Sequence, residues 1–221
     1  PYSASKAAAE LAIQSYIRSY FSDPNGPVRI AIARAGNVIG GGDWADNRIV
    51  PDCVRAWSVG NAVTLRNPEA TRPWQHVLEP LSGYLSLAAK LTTDSSIHGE
   101  AFNFGPPSQQ NKTVLELVKQ MSYYWKRVNW SIEEASNHGF SEAGLLRLNC
   151  EKAQHYLGWQ AVLDFTETIK LTSEWYRHYY ERAAPSPNAV MAFTKRQIEY
   201  YIARAIEQRL PWALSYKSQE S

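Results

Sequence analysis

The chain opens on a tyrosine and a lysine four residues apart, in Pro1-Tyr2-Ser3-Ala4-Ser5-Lys6. An alanine-rich run without glycine or proline follows as far as Pro24, which predicts a helix. On a helix this spacing puts Tyr2 and Lys6 on one face, where a cation within about 4–6 Å favours the charged form of a phenol. Such a phenol can take a proton from a hydroxyl group while hydride leaves the attached carbon. The same pair also occurs on ordinary amphipathic helices with a surface lysine, so the spacing alone leaves both interpretations open.

The segments after this helix indicate a parallel α/β sheet. A turn cluster over residues 23–27 and a mostly apolar, β-branched run over residues 28–34 predict a buried strand. Ligands of parallel sheets collect beyond the carboxyl ends of the strands, so a site is expected directly after residue 34. There Asn37 is either a ligand-facing amide or a turn-capping residue. Gly40-Gly41-Gly42 predicts a flexible loop that lets the backbone approach a ligand or the next domain.

The rest of the chain alternates between helical and strand patterns. Apolar spacing and turn residues predict helices over 48–57, 78–91, 113–125, 151–158, 166–180 and 193–210, and strands over 63–65, 101–105 and 128–132. Pro185-Ser186-Pro187 is predicted to break the chain before the last helix. Arg72 precedes Pro73, which stiffens the backbone, and a fixed arginine suits bidentate capture of phosphate. Taken alone, such an arginine more often forms a surface ion pair.

Composition argues against several classes of function. A net charge of +2 gives no reason to expect nucleic acid or an acidic membrane surface as partner. No apolar run approaches the ~18 residues that span a bilayer, and no signal peptide is evident. The five histidines, at positions 76, 98, 138, 155 and 178, have no metal-ligand spacing, so no metal is predicted. Cys53 and Cys150 have no C-x-x-C spacing and are expected to be reduced thiols of a cytoplasmic protein.

Three motifs, in this order, resemble one family. Tyr2-x-x-x-Lys6, Arg34-Ala35-Gly36-Asn37-Val38-Ile39-Gly40 and Arg72-Pro73-Trp74-Gln75-His76-Val77 are similar to segments of the extended short-chain dehydrogenase/reductases, the nucleotide-sugar epimerases and dehydratases. The resemblance implies an α/β fold, with the C-terminal part of a Rossmann-like doubly wound parallel sheet plus a smaller α/β substrate-binding domain. It assigns 1–41 and 76–105 to an NAD-binding domain, 42–75 and 106–185 to a substrate-binding domain, and 186–221 to a C-terminal helical tail.

The same resemblance implies NAD as the cofactor, a nucleotide sugar as the substrate, and roles for individual residues. Two residues would be catalytic and would also contact the cofactor: Tyr2 and Lys6. Two at the end of the predicted strand would contact the cofactor as well: Arg34 and Ala35. Four polar residues would hold the nucleotide sugar: Asn37, Arg48, Arg72 and His76. For His76, a buried histidine with satisfied hydrogen bonds is an equal alternative.

Two segments resemble the branch of the family that acts on CDP-glucose, namely Gly40-Gly41-Gly42-Asp43-Trp44-Ala45 and the stretch from Arg72 to Leu81. This implies a 4,6-dehydratase, which oxidises C4 of the sugar, removes water across C5 and C6, and returns the hydride to C6. Asn47 and Asn149 depart from the pattern, because acidic residues are expected at both positions. A 4-epimerase or a dTDP- or GDP-sugar dehydratase of the family, and a non-catalytic binding or scaffold remnant of the fold, remain alternatives.

The start of the sequence predicts a fragment of a larger protein. Pro1 stands where the first helical residue would be, with no methionine and no N-cap residue before it. The family's glycine-rich dinucleotide loop and its elimination acid and base lie N-terminal to the tyrosine. We therefore expect the fragment neither to hold NAD tightly nor to turn over. The family commonly dimerises through the tyrosine helix, which implies a homodimer for the intact protein.

Overall fold

A computed structural model describes residues 1–107, 110–126, 128–132, 148–181 and 185–217. For residues 215–217 it describes the backbone alone. Part of the predicted substrate-binding domain, His138 and the end of the predicted tail lie outside these residues. The helices of the described part are α1 (Tyr2–Tyr20), α2 (Ile49–Ser58), α3 (Leu78–Thr93), α4 (Val114–Ser122), α5 (Glu151–Leu157), α6 (Phe165–Tyr180), α7 (Pro187–Glu207) and α8 (Pro211–Lys217). The strands are β1 (Ile32–Ala35), β2 (Val38–Ile39), β3 (Val63–Leu65), β4 (Thr71–Arg72), β5 (Gln75–His76), β6 (Ala101–Phe104), β7 (Lys112–Thr113) and β8 (Trp130–Ile132).

The strands pair in twos, and most of the pairs are parallel. β1 pairs with β6, with Ile32 opposite Ala101, and β2 pairs with β5. β3 and β8 are also parallel, whereas β4 and β7 are antiparallel. Parallel strands need a crossover connection, and α2 and α3 lie within the crossovers that this topology requires. The predicted α/β class with parallel strands is confirmed.

β1 is shorter and less buried than predicted. It begins at Ile32 rather than at residue 28, and Val28 is 41% exposed. The reason is that the preceding segment bonds to a turn and not to a strand. The Ile30 amide donates to His98 Nδ1 at 3.1 Å, and the Gly99 amide donates to the Ile30 carbonyl at 2.7 Å. Pairing with β6 starts only where the Ile32 amide reaches the Glu100 carbonyl.

α7 begins at Pro187, so the predicted start at residue 193 is wrong, whereas the predicted break is confirmed at Pro185 and Ser186, which lie between α6 and α7. Ser186 is the N-cap residue, and its hydroxyl accepts from the Ala189 amide at 3.3 Å. Pro187 occupies the first turn of the helix, where its missing amide hydrogen costs nothing. The predicted stop of α5 at Gly158 is confirmed, since this glycine has the left-handed φ of 61° that ends many helices.

Three groups of buried side chains form the interior. The largest packs α2, α4 and α6 around residues such as Val54, Leu117 and Tyr176. A second joins α3, β6 and α5 around Phe102, Phe104 and Trp159. The third joins α6, α7 and α8. α7 and α8 are therefore part of the packed structure, in which the Gln197 amide group donates to the Leu171 carbonyl at 2.7 Å.

A buried carboxylate at the start of α3 connects distant parts of the chain. Glu79 is 1% exposed and accepts hydrogen bonds from the amides of Val162 and Leu163, at 3.0 and 2.7 Å. Tyr201 of α7 donates its hydroxyl hydrogen to the same carboxylate at 2.8 Å. Buried carboxylates are tolerated only when they are hydrogen-bonded in this way. Glu79 therefore ties α3 to α7 and to the segment before α6.

Glu79 should make stability depend on pH. Burial raises the pKa of Glu79 to about 7, from an ordinary value of 4.5. Because the folded chain holds this proton more tightly than the unfolded chain, the contribution is fully present below about pH 4.5 and is lost as the pH rises through about 7. Relative to Glu79→Gln, which does not titrate, we expect the free energy of unfolding of the unmodified protein to fall by about 3 kcal/mol over that range in urea titrations. A difference that stays constant with pH would contradict this role.

Three further observations concern the described residues alone. None of their helices combines the length and the apolar character that crossing a bilayer requires. Among these residues, no group of three or more His, Cys, Asp or Glu side chains is arranged so that it could hold a metal ion. Cys53 and Cys150 are free thiols, as predicted, and burial raises the pKa of both.

Candidate active site

A cleft of about 770 Å³ lies beyond the carboxyl end of β1, where the sequence predicted a site. Its walls come from the first residue of α1, from residues 35–40, from the loop leading into α2, and from residues 64–74. The lining side chains that can carry charge or donate and accept hydrogen bonds are Tyr2, Asn37, Asp43, Asn47, Arg48, Asp52, Thr64, Arg66, Asn67 and Arg72. The cleft therefore has polar as well as apolar walls, and it contains more arginines than carboxylates.

Tyr2 and Lys6 share one face of α1, as the four-residue spacing predicts. Tyr2 lines the cleft and is 75% exposed, and the Lys6 Nζ atom lies 5.6 Å from the centroid of its ring. A cation at this distance from an aromatic ring is attracted to it. The helix thus presents a phenol to the cleft with an ammonium group beside it. This arrangement can accept a proton from a hydroxyl group of a bound molecule.

Arg34 and Ala35 were also predicted to contact the cofactor, but the Arg34 side chain is bound to another residue. Arg34 forms a two-pronged ion pair with Glu10 of α1, with its Nε atom 2.6 Å from Glu10 Oε1, and does not line the cleft. These hydrogen bonds hold the pKa of Glu10 below its usual value. Ala35 does line the cleft, because β1 ends there.

Three of the four predicted substrate contacts line the cleft. Asn37 is half-buried on its wall, and its carbonyl accepts from the Gln75 amide at 3.0 Å. Arg48 is the N-cap residue of α2 and pairs with Asp43 at 3.1 Å. Arg72 is only 8% exposed, and its Nη1 atom donates to the Thr71 carbonyl at 2.8 Å. The structure therefore brings two arginines and an amide to one cavity with Tyr2.

His76, the fourth predicted contact, lies in the interior, 2% exposed and away from the cleft wall. Its Nδ1 atom accepts from the Leu78 amide at 3.3 Å, and burial lowers the pKa of His76 to about 4. Its ring is therefore neutral at neutral pH. This placement is that of the buried histidine in the alternative, but its hydrogen bonds are not all satisfied, because its Nε2 atom has no partner among the described residues.

Six of the polar cleft residues were not among the predicted contacts, and two of these six are bonded to each other. Arg66 follows β3, and its Nη2 atom donates to Asn47 Oδ1 at 2.8 Å. Asn47 has a left-handed backbone with φ of 61°, a conformation that asparagine tolerates better than most residues. The sequence drew attention to Asn47 alone, because the family pattern has an acidic residue at that position. Arg66 carried no signal, because nothing in a short strand shows which loop its side chain will meet.

The loop over residues 40–44 is held by aromatic packing. A Cβ atom on Gly41 would lie 2.0 Å from Trp175 Cδ2 of α6, so only glycine fits beneath that ring. The ring of Trp44 lies 4.9 Å from that of Tyr179, and the Asp43 carbonyl accepts from the Tyr176 hydroxyl at 2.7 Å. The glycine loop was predicted to let the backbone approach a ligand or the next domain. At Gly41 the backbone approaches another part of the chain, the ring of Trp175. The loop thus positions Asp43 and Arg48 on the cleft wall.

Comparison with known proteins identifies the relatives of this chain. Residues 1–105 match the NAD dependent epimerase/dehydratase family. A CDP-glucose 4,6-dehydratase of Salmonella typhimurium (strain LT2) is 39% identical over 92% of this chain and 56% of its own length. Over residues 1–105, the chain belongs to the NAD dependent epimerase/dehydratase family. A dTDP-D-glucose 4,6-dehydratase of Bos taurus is 24% identical over 87% of this chain and 52% of its own length. The chain therefore spans about half the length of these curated relatives.

Solved structures show the same fold at lower sequence identity. A UDP-glucuronic acid 4-epimerase from Bacillus cereus, solved with UDP-glucuronic acid and NAD, has a TM-score of 0.65 at 15% identity over 80% of this chain and 52% of its own. A dTDP-glucose 4,6-dehydratase from Bacillus anthracis, solved with NAD, has a TM-score of 0.63 at 22% identity over 82% of this chain and 53% of its own. These similarities confirm the Rossmann-like α/β fold.

Proposed function

We propose that the protein to which this chain belongs is an NAD-dependent nucleotide-sugar 4,6-dehydratase that converts CDP-glucose to CDP-4-keto-6-deoxyglucose. The observation that carries the proposal is the Tyr2–Lys6 pair at the edge of an arginine-lined cleft. The 39% identity to a CDP-glucose 4,6-dehydratase supports the choice of reaction and of nucleotide. The family match supports the cofactor.

The residues at the cleft fit the nicotinamide end of NAD. Tyr2 and Lys6 offer a hydroxyl and an ammonium group, which can donate to the ribose, and Ala35 brings backbone to the cleft. Arg34 would first have to leave Glu10, so Ala35 is the better placed of the two proposed contacts at the end of β1. NAD, when bound, would supply the hydride acceptor for C4 of the sugar and the hydride donor for C6.

In the proposed reaction, Tyr2 takes the proton from the 4-hydroxyl group of glucose while that carbon is oxidised. Lys6 holds its ammonium group over the Tyr2 ring, 5.6 Å from the ring centroid, and is proposed to keep the phenol in place beside the substrate. The 4-ketone then makes the C5 hydrogen acidic, and water leaves across C5 and C6. We assign the acid and base of this elimination to none of the described residues.

Asn37, Arg48 and Arg72 are proposed to hold the nucleotide sugar. Diphosphate carries the charge of such a substrate, and guanidinium groups bind it with paired hydrogen bonds. Arg72 is the best fixed of the three, since it is nearly buried and followed by Pro73. Their role is positioning, which keeps the 4-hydroxyl group within reach of Tyr2. His76 lies in the interior, away from the cleft wall, so a role of this residue in substrate binding would be indirect.

The direct test is to incubate the intact protein and NAD with CDP-glucose and to follow the ketosugar by its absorbance in base. Accumulation of that product, with no net change in NADH, supports the dehydratase. Conversion to the C4 epimer without the absorbance would identify the 4-epimerase alternative instead. Binding without turnover of CDP-, dTDP-, UDP- or GDP-glucose would identify a non-catalytic remnant of the fold.

We also propose that the intact protein is a homodimer that pairs through α1. Only Ile17 of this 19-residue helix is buried, while Ala7 and Leu11, one turn apart on the same face, are exposed, Leu11 to 72%. Exposed apolar side chains on one helix are characteristic of interaction surfaces. We expect sedimentation to give twice the protomer mass, and Leu11→Glu to shift it toward one protomer. An unchanged mass for Leu11→Glu would exclude this face.

A further inference from the structure

We infer that Arg66, held in place by Asn47, is a phosphate-binding residue for the diphosphate of the substrate. The inference rests on the proposed function, since it takes a nucleotide sugar as the molecule in the cleft. It adds a residue to the site that neither the sequence motifs nor the family match single out.

The charge balance of the cleft favours an anion near Arg66. Arginines 48, 66 and 72 line it, and the carboxylates among its described lining residues are Asp43 and Asp52. Each carboxylate already has an arginine partner. Asp43 lies 3.1 Å from Arg48, and Asp52 lies 2.6 Å from Arg55, which is not part of the lining. The positive charge of Arg66 is therefore not cancelled by either of them.

The Arg66 side chain is nevertheless held in a defined position. It donates one hydrogen bond, at 2.8 Å, to the neutral side-chain oxygen of Asn47. That bond joins the end of β3 to the loop before α2 across the cleft. A guanidinium group has five donors, so one bond to an amide leaves others for a ligand. A side chain that is positioned but not neutralised loses little conformational freedom when it binds an anion.

The partner at position 47 explains why this charge is retained. An acidic residue there would form an ion pair with Arg66 and compete with any phosphate. Asparagine accepts the same hydrogen bond without adding negative charge. Of the three parts of a nucleotide sugar, the base and the sugar are neutral and the diphosphate is not. The diphosphate is thus the part that an uncompensated guanidinium selects.

The test uses Arg66→Gln in the intact protein, with Arg196→Gln on α7 as the matched control that loses the same charge outside the cleft. Affinities for CDP and for cytidine are measured by calorimetry, and kcat and KM with CDP-glucose. We expect Arg66→Gln to weaken CDP binding about ten- to hundredfold, to raise KM by a similar factor, and to leave kcat and cytidine affinity within about twofold. Arg196→Gln should change none of these.

Two variants of Asn47 separate charge from position. Asn47→Asp keeps the acceptor but adds a competing carboxylate, so it should weaken CDP binding although Arg66 is intact. Asn47→Gly allows the same positive φ and removes only the hydrogen bond, so its effect should be smaller, within a few-fold. CDP affinity that is unchanged in both Arg66→Gln and Asn47→Asp would overturn the inference. So would an equal loss of cytidine affinity, which would place the base at Arg66.

Failure of this inference can be told apart from failure of the proposed function. The unmodified protein is first titrated with CDP, dTDP, UDP and GDP. If it binds none of them, the proposed function fails and the inference fails with it. If it binds any one of them and Arg66→Gln binds that nucleotide equally well, only the inference about Arg66 is wrong. Thermal melting of each variant confirms that the compared proteins are folded.

Discussion

Replacing Tyr2 with phenylalanine in the intact protein should lower kcat for CDP-glucose by about a hundred- to ten-thousandfold. This range is what a well-placed general acid or base contributes, and the substitution removes only the hydroxyl group that would accept the proton. The ring beneath Lys6 remains, so the local packing of α1 is retained. Affinity for CDP-glucose should change by less than about threefold, because the proposed phosphate contacts lie elsewhere in the cleft. Stopped assays of ketosugar formation, together with calorimetric titration, measure both quantities.

The matched control for this substitution is Tyr123→Phe. Tyr123 is 78% exposed, about as much as Tyr2, and it does not line the cleft. It loses the same hydroxyl group from a surface position after α4, and its kcat should match that of the unmodified protein. Near-normal turnover by Tyr2→Phe would contradict the proposed catalytic role of Tyr2 in the oxidation at C4.

Replacing Glu79 with alanine should lower the free energy of unfolding by about 3–5 kcal/mol at pH 6. The change leaves the amides of Val162 and Leu163 buried without their acceptor and opens a cavity at the start of α3. It also removes one of the two partners of the Tyr201 hydroxyl, which keeps its contact with Ser82 Oγ at 2.8 Å. Urea unfolding followed by tryptophan fluorescence gives the difference directly.

Two further variants define what this loss means. Glu79→Gln retains one acceptor oxygen and should cost much less, roughly 1 kcal/mol at the same pH. Glu199→Ala removes a carboxylate from the surface of α7, where Glu199 forms only a loose pair with Lys195, and should cost less than about 0.5 kcal/mol. A loss below about 1 kcal/mol for Glu79→Ala would show that the segment around residue 162 finds other acceptors.

Features that are set by residues close together in the sequence were predicted better than features that depend on distant residues. The Tyr2–Lys6 pair, the turn at residues 23–27 and the end of α5 at Gly158 are set by contacts within a few residues. Each of them was predicted with its correct position. In the turn, the Gly26 amide donates to the Asp23 carbonyl at 3.0 Å. Periodicity likewise placed the helices α3 and α6, although Leu81 and Leu85 of α3 are exposed rather than buried.

Features that depend on distant residues were missed or misplaced. Glu79 meets Val162, 83 residues away, and Tyr201, 122 residues away, so its sequence context gave no sign of a buried acid. The start of β1 was placed too early because Ile30, in the mostly apolar run before it, bonds to the turn at residues 98–99. The start of α7 was placed too late because Pro187 was taken for a breaker, although proline also suits the first turn of a helix.

The candidate site shows the same division. Motifs identified Asn37, Arg48 and Arg72, and all three line the cleft together with Tyr2. Arg66 could not be found in this way, because its position depends on a loop that begins some twenty residues earlier in the chain. The roles of all these residues stay predictions until the variants are measured.

The contact between Gly41 and the ring of Trp175 also has a consequence for how this lineage can diverge. Because no side chain fits between them, Gly41 cannot be replaced by a larger residue while Trp175 is in place. A larger residue at position 41 becomes acceptable only in descendants whose position 175 has already shrunk. Substitutions at positions 41 and 175 should therefore occur together in distant homologues of this protein.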